Sequence, residues 1–411
     1  MNLQNLRNNH HKLLSYMEGA SYSKYYINRL NSEIKRILAN ANASSWTSYA
    51  DVYQEYKKKS SSAQYLRNKR TYLGIIENFD LHGHYPNGLQ QSKIVERSKY
   101  HLLNQEFKSA IDFYTSAEKE RGKKDSTIHG EALNTACFFF DLQQAGYKSP
   151  EQITEEAVLS FFVSPEGKLF RSCSYKKNIA AVIKACIPQN PETFNKILAY
   201  LPPLREKRKN IQYLKPDEIA SLKQLLTNGN TLISFRDRAI GTLALYTGLR
   251  CCDIAGLTIS AIDWENDRLY ITQQKTDAPL ELLLTATVGN AIYDYLHYER
   301  PANDSDYIFI SNNRPYGRLK NRSLGRIADK IMNAANIRQS PGDRRGFHIF
   351  RHNLVTTMLE NDIPEPVIMR LAGHMAPSSL EAYLSADFKH LKECALSIDK
   401  FPLKQGVFGN A

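Results

Sequence analysis

Residues 347–363 read FHIFRHNLVTTMLENDI, and residues 371–387 read LAGHMAPSSLEAYLSAD. Both fall in a stretch that reads as helical from about residue 286 onward. His348 and Arg351, three apart, therefore share one helical face. His374 stands nine residues before Tyr383. Upstream, LYTGLRCCDIAGL (245–257) places Gly248 as the stop of one helix, Arg250 at the break, and Asp253 three residues on, facing the same way. An Arg steadied by a carboxylate at a helix boundary suits an anion, although ion pairs of this spacing are also ordinary structural features. Between these segments ISAIDWENDRLYITQQKTDAPLELLLT (259–285) reads as short strands with turns at Glu265–Asp267 and Thr276–Ala278, next to Lys275. LKPDEIASLKQLL (214–226) opens a helix, with Pro216 in its first turn and Asp217 and Glu218 suited to its dipole. The expected fold class is mainly α with a small antiparallel β-sheet, the sheet lying in an α+β domain over 214–395.

The preceding sequence is helical. Over residues 1–95, Ile27, Leu30, Ile34, Ile37 and Leu38 recur at helical spacing, and LHGHYPNGLQQ (81–91) breaks the pattern. A second helical block covers 98–187, with Gly146 as a helix stop. Two proline breaks and the basic cluster Arg205, Lys207, Arg208 and Lys209 mark residues 188–213 as a linker. Residues 396–411 form a C-terminal tail.

With 411 residues the chain is expected to hold two or three domains. Its 54 Lys+Arg against 42 Asp+Glu, a net charge of +12, suit a polyanionic partner, with DNA, RNA and anionic membrane all open on charge alone. Six cysteines show no CxxC spacing, which argues against a zinc ribbon or a disulfide framework and fits a reducing, cytoplasmic setting. No apolar run approaches the roughly 18 residues of a membrane span, and MNLQNLRNNHHKLL has no signal-peptide core.

Taken together, Arg250 with Asp253, Lys275 in a β-turn, His348-x-x-Arg351, Gly373-His374 and Tyr383 occur in the order, and with the separations, of the tyrosine recombinase (phage integrase) family, which the sequence resembles over about 214–395. The resemblance is softer over 98–187, where the family has a helical core-binding domain, and residues 1–95 carry no matching motif. Two departures are visible: Ala372 stands where the family has a second Leu, and LSAD follows where Thr-His is common.

The resemblance implies an enzyme that cuts and rejoins double-stranded DNA, working as a homotetramer on two recombination sites through a Holliday junction. Tyr383 would be the nucleophile forming a 3′-phosphotyrosyl bond and Lys275 the general acid. Arg250, Arg351 and His374 would hold the phosphate, with His348 as a proton-transfer or phosphate partner and Asp253 orienting Arg250. The chemistry is coherent. Charge gathering on phosphorus calls for fixed bidentate cations, and a phenol of pKa about 10 must lose its proton while the 5′-oxygen gains one. The ester bond conserves energy, so neither a cofactor nor ATP is expected. Accessory DNA-bending or directionality proteins are partners to look for, and the sequence does not name them.

Singly, each of these residues has a plainer reading. Tyr383 is one of 24 tyrosines, Lys275 can be an ordinary turn lysine, and His348 can be a satisfied buried histidine. His348 and His352 stand four apart as zinc ligands would, but the Glu of an HExxH motif is missing, Ile349 taking its place, so no metal is expected. Residues 311–346 hold nine Lys or Arg against Asp329 and Asp343, a density suited to gripping phosphates, with Arg318, Lys320, Arg322 and Arg326 as candidate DNA ligands. Lys176 and Lys177 are candidates on the second domain. Two rival functions share these features: a type IB topoisomerase, which needs no pair of sites, and a DNA-binding regulator that has kept the fold.

Overall fold

The computed structural model describes residues 1–41, 44, 46–86, 94, 98–204, 211–227, 232–314, 316–373 and 379–384. The chain divides into two compact units. One comprises Met1–Asn8, Glu33–His84 and Gln91–Lys207, the other Asn9–Ser32, Tyr85–Gln90 and Arg208–Ala411.

The chain opens with helices α1 (Leu3–Gly19), α2 (Lys24–Asn40), α3 (Tyr49–Lys59) and α4 (Ala63–His82). Ile27, Leu30, Ile34 and Ile37 are buried as their spacing predicts, and Leu38 lies at the margin. Helix α3 starts at a capping box between Ser48 and Asp51, and Tyr49 on it donates to the buried Asp80 of α4 at 2.7 Å. Gly83, at φ +64°, ends α4 where the sequence pattern breaks.

The second helical block contains α5 (Gln105–Glu120), α6 (Asp125–Gln144), α7 (Glu155–Phe162), α8 (Cys173–Cys186) and α9 (Pro191–Tyr200). Its core is aromatic, with Phe107 stacked on Phe139 at 4.7 Å and Phe138 edge-on to Phe161 at 5.1 Å. Gly146, at φ +99°, stops α6, and the Tyr147 N–H returns to the Leu142 carbonyl at 3.1 Å. Helix α9 corrects the expected linker. Pro191 begins a helix rather than breaking one, because Pro is tolerated where the first-turn N–H has no partner, and Asn190 caps it by accepting the Thr193 N–H. Phe194, Ile197 and Leu201 then join the same core.

The C-terminal unit holds α10 (Pro216–Thr227), α11 (Phe235–Thr247), α12 (Cys251–Ala255), the strands β1 (Ile262–Asp263), β2 (Arg268–Thr272) and β3 (Pro279–Leu283), and then α13 (Ala286–Asp294), α14 (Asn321–Ala334), α15 (His348–Glu360), α16 (Glu365–Ala372) and α17 (Glu381–Leu384). The strands pair antiparallel in the order β1-β2-β3, with Leu269 opposite Leu282 and Ile271 opposite Leu280. These four side chains face the core, while Tyr270, Glu281 and Leu283 face outward, the period-2 pattern of a half-buried sheet. Helix α11 is buried nearly all round, from Ala239 to Leu245, and α13, α14 and α15 pack against it. Glu218 accepts the Lys215 N–H at 2.8 Å at the start of α10, the acidic first turn expected there, and also pairs with Arg338 at 2.7 Å. The chain is thus mainly helical with one small antiparallel sheet.

Candidate active site

Two glycine turns organise the site. Helix α11 ends at Gly248, φ +60°, and α16 ends at Gly373, φ +60°, a backbone region that disfavours any side chain. The carbonyls at these ends are then taken up by arginines. Arg351, buried in the first turn of α15, donates to Gly248 O at 3.0 Å and to Ala372 O. Arg250, which caps the start of α12, donates to Gly373 O at 3.2 Å and to Gln273 Oε1 at 2.8 Å. Two neighbouring carbonyls, Ala372 and Gly373, therefore bring the two guanidiniums to one place. The Ala at 372 does not alter this, since the carbonyl is its contribution.

Gln273 was not singled out by its sequence, and it is fully buried. Its Oε1 accepts from both Arg250 and Thr276 at 2.8 Å, which ties the arginine to the β2–β3 turn carrying Lys275. The expectation that Asp253 orients Arg250 directly is corrected. The buried Asp253 carboxylate accepts the Gln274 N–H at 2.9 Å and the Cys252 thiol at 3.6 Å, and it makes no ion pair with Arg250 among the described residues. Asp253 thus fixes the backbone next to Lys275, and its charge acts favourably on Arg351. Lys275 itself is exposed at the tip of the turn.

Burial, and then the neighbouring Arg250, pull the pKa of Arg351 down to about 10, so it stays charged at neutral pH. His348, the first residue of α15, is held below the ordinary imidazole value by partial burial and by Arg344, Arg351, Lys275 and Arg250 around it. Tyr383 on α17 is 5% exposed. Burial pushes its hydroxyl pKa up, while the fields of Arg351, Arg344 and Arg250 and a hydrogen bond from Arg351 oppose the rise. The hydroxyl lies 2.8 Å from Nδ1 of the buried His352, whose ring centroid is 6.2 Å from that of His348.

Arg250, Lys275, His348, Arg351 and Tyr383 are therefore brought together, although they span more than 130 positions of the chain. His374 lies outside the described residues, as do Arg205, Lys207, Arg208, Lys209 and the tail over 396–411. The functional contact missed in the sequence is His352. Its helical spacing from His348 was legible, but the zinc reading absorbed it. Arg344 stood in the basic stretch without a role, and its charge acts on both His348 and Tyr383.

The basic stretch divides in two. Arg318 is not a free DNA ligand: its guanidinium donates to Ala255 O at 2.9 Å and Cys252 O at 3.1 Å, satisfying the C-terminal carbonyls of α12. Lys330 pairs with Asp237 at 3.0 Å, and Arg338 with Glu218. Lys320, Arg322 and Arg326 are exposed at the start of α14. In the other unit Lys176 is half-buried and Lys177 exposed in the first turn of α8.

Residues 212–390 match the family model described as the phage integrase family. The chain is 33% identical over 185 residues to a Sinorhizobium fredii protein named as an integrase/recombinase, y4gC, which covers 45% of this chain and 94% of that protein. It is 29% identical over 175 residues to the tyrosine recombinase XerA of Pyrococcus furiosus, spanning 42% of this chain and 57% of that protein. Among solved structures, XerH recombinase bound to a palindromic difH substrate in a post-cleavage complex has the same fold, with a TM-score of 0.55 at 19% identity over 67% of this chain and 81% of that one. A lambda integrase tetramer bound to a Holliday junction matches with a TM-score of 0.50 at 19% identity, over 69% of this chain and 82% of that one. The family model and these relatives mark a DNA breaking-and-rejoining enzyme. The chain belongs to the tyrosine recombinase, or phage integrase, family.

Proposed function

We propose that the chain is a site-specific recombinase of the cytoplasm that cleaves and rejoins double-stranded DNA through a 3′-phosphotyrosyl bond to Tyr383. Four copies act on two sites by way of a Holliday junction, without metal or ATP. The observation that supports this best is the buried Tyr383 hydroxyl, set beside Arg351 and in the fields of Arg250 and Arg344.

Arg250 and Arg351 are already fixed by carbonyl bonds, so their charges need no reorganisation as negative charge grows on the non-bridging oxygens. His348, uncharged at neutral pH, is available to donate or accept a hydrogen bond at the same phosphate, and His374 adds a donor. Lys275 protonates the departing 5′-oxygen, and rejoining is the same displacement run backwards by a 5′-hydroxyl from another strand. Exposed Lys320, Arg322 and Arg326, with Lys176, Lys177 and the 205–209 cluster, grip flanking phosphates.

Trapping on a nicked substrate tests the assignment. Tyr383→Phe is expected to abolish the covalent adduct while keeping specific binding, and Lys275→Ala to slow cleavage. A 5′-bridging sulfur, which leaves unaided, should rescue Lys275→Ala alone. Cleavage should persist in excess chelator. Adduct formation by Tyr383→Phe, or equal rescue of both variants, would overturn the roles.

A further inference from the structure

We propose that His352 is a catalytic residue, the acceptor of the Tyr383 proton as the hydroxyl attacks phosphorus. The inference rests on the reading of Tyr383 as nucleophile and adds the group that activates it. Nδ1 of His352 lies 2.8 Å from the hydroxyl oxygen, within the reach required of a general base. The contact is buried on both sides, His352 being 7% and Tyr383 5% exposed, so the proton has a partner away from bulk water. Arg351 also reaches the hydroxyl, but a guanidinium has no lone pair to offer. It stabilises a phenolate and cannot make one. His348, one helical turn earlier, opens α15 at its exposed end among Arg344, Lys275 and Arg250, where a phosphate is expected. The two histidines thus divide between the scissile phosphate and the nucleophile.

In the forward step the bond from Tyr383 oxygen to phosphorus forms and the bond from phosphorus to the 5′-oxygen breaks. The Tyr383 proton passes to Nδ1 of His352, giving an imidazolium. The 5′-oxygen takes its proton from Lys275, which becomes neutral, so the charge of the site is unchanged by its own residues. Rejoining returns both protons. The tautomer required at rest carries its hydrogen on Nε2.

Two measurements test this. In the full-length protein with nitrogen-15 histidine, the ring nitrogens of His352 should report an unprotonated Nδ1, and an Nδ1–H tautomer would overturn the proposal without any variant. In single-turnover cleavage, His352→Asn keeps a hydrogen-bonding side chain but no base, and should slow adduct formation by roughly 10²-fold with DNA binding retained. A fluorinated, more acidic tyrosine at position 383 should restore most of that loss, and the 5′-bridging sulfur substrate should not. Cleavage by His352→Asn at the wild-type rate, or rescue by sulfur rather than by fluorine, sinks the assignment of His352. A covalent adduct in Tyr383→Phe sinks instead the reading beneath it.

Discussion

His348 opens α15 with four cations around it, and its neutral form is the one the folded protein favours. The sign of the resulting pH dependence follows. In the unfolded chain the imidazole titrates near its ordinary pKa of about 6.5. As pH falls through that value the unfolded state takes up the proton before the folded state does, so folding loses stability. The contribution is complete above about 6.5 and disappears as pH falls toward the lowered folded value. Thermal unfolding of the free protein should therefore shift to lower temperature on acidification, and His348→Asn should shift less. Bound DNA supplies the missing negative charge and should flatten the difference. Parallel curves for the two proteins, with and without DNA, would mean that the surrounding cations do not act on this ring.

At the level of elements, the site depends on how helices end. A methyl group on Gly373 would collide with the side-chain amide of Gln273, whereas one on Gly146 would meet nothing within 4 Å, though both residues have positive φ. Gly146→Ala should thus lose only about 1–2 kcal/mol of backbone preference. Gly373→Ala carries that cost and also displaces Gln273, which holds Arg250 to the Lys275 turn. Cleavage should drop far more than stability does, read by single-turnover assay beside thermal melts; an equal effect of the two substitutions on cleavage would refute the coupling. The Gly248 stop, the alternating strands and the β-turn at Lys275 were legible because each rests on local rules of backbone geometry. The His348, Arg351 and Tyr383 set was legible from residue type and order. Gln273 was not, since a buried glutamine has no local signature, and neither was α9, because proline at the first helical position looks the same in sequence as a proline that breaks a helix. The partner of Asp253 was misassigned for a related reason: a three-residue spacing shows which groups can meet within a helix and is blind to a strand turn arriving from outside it.

For the molecule as a whole, net charge overstates the DNA-gripping surface, because part of the basic stretch is already committed to protein carbonyls and carboxylates. Each phosphate neutralised contributes about 0.9 to the slope of log affinity against log salt. Replacing Arg322 and Arg326 together by Ala should reduce that slope by roughly 2 and weaken binding to all sequences alike. Arg318→Ala should leave the slope unchanged and instead lower the melting temperature, since it takes the guanidinium donor from the Ala255 carbonyl and leaves the Cys252 carbonyl with the Gly256 N–H alone. A change of slope for Arg318→Ala as large as for the pair would reverse this division.

Ala372 and Gly373 hold Arg351 and Arg250 with backbone oxygen alone. An alanine scan is silent at the first position by construction, and at the second it perturbs conformation without removing the acceptor. Functional maps built from side-chain replacement will therefore leave a blank at the point where the two guanidiniums converge. Ester replacement of the peptide link, which weakens a carbonyl as acceptor while keeping its shape, is the chemistry that can register it.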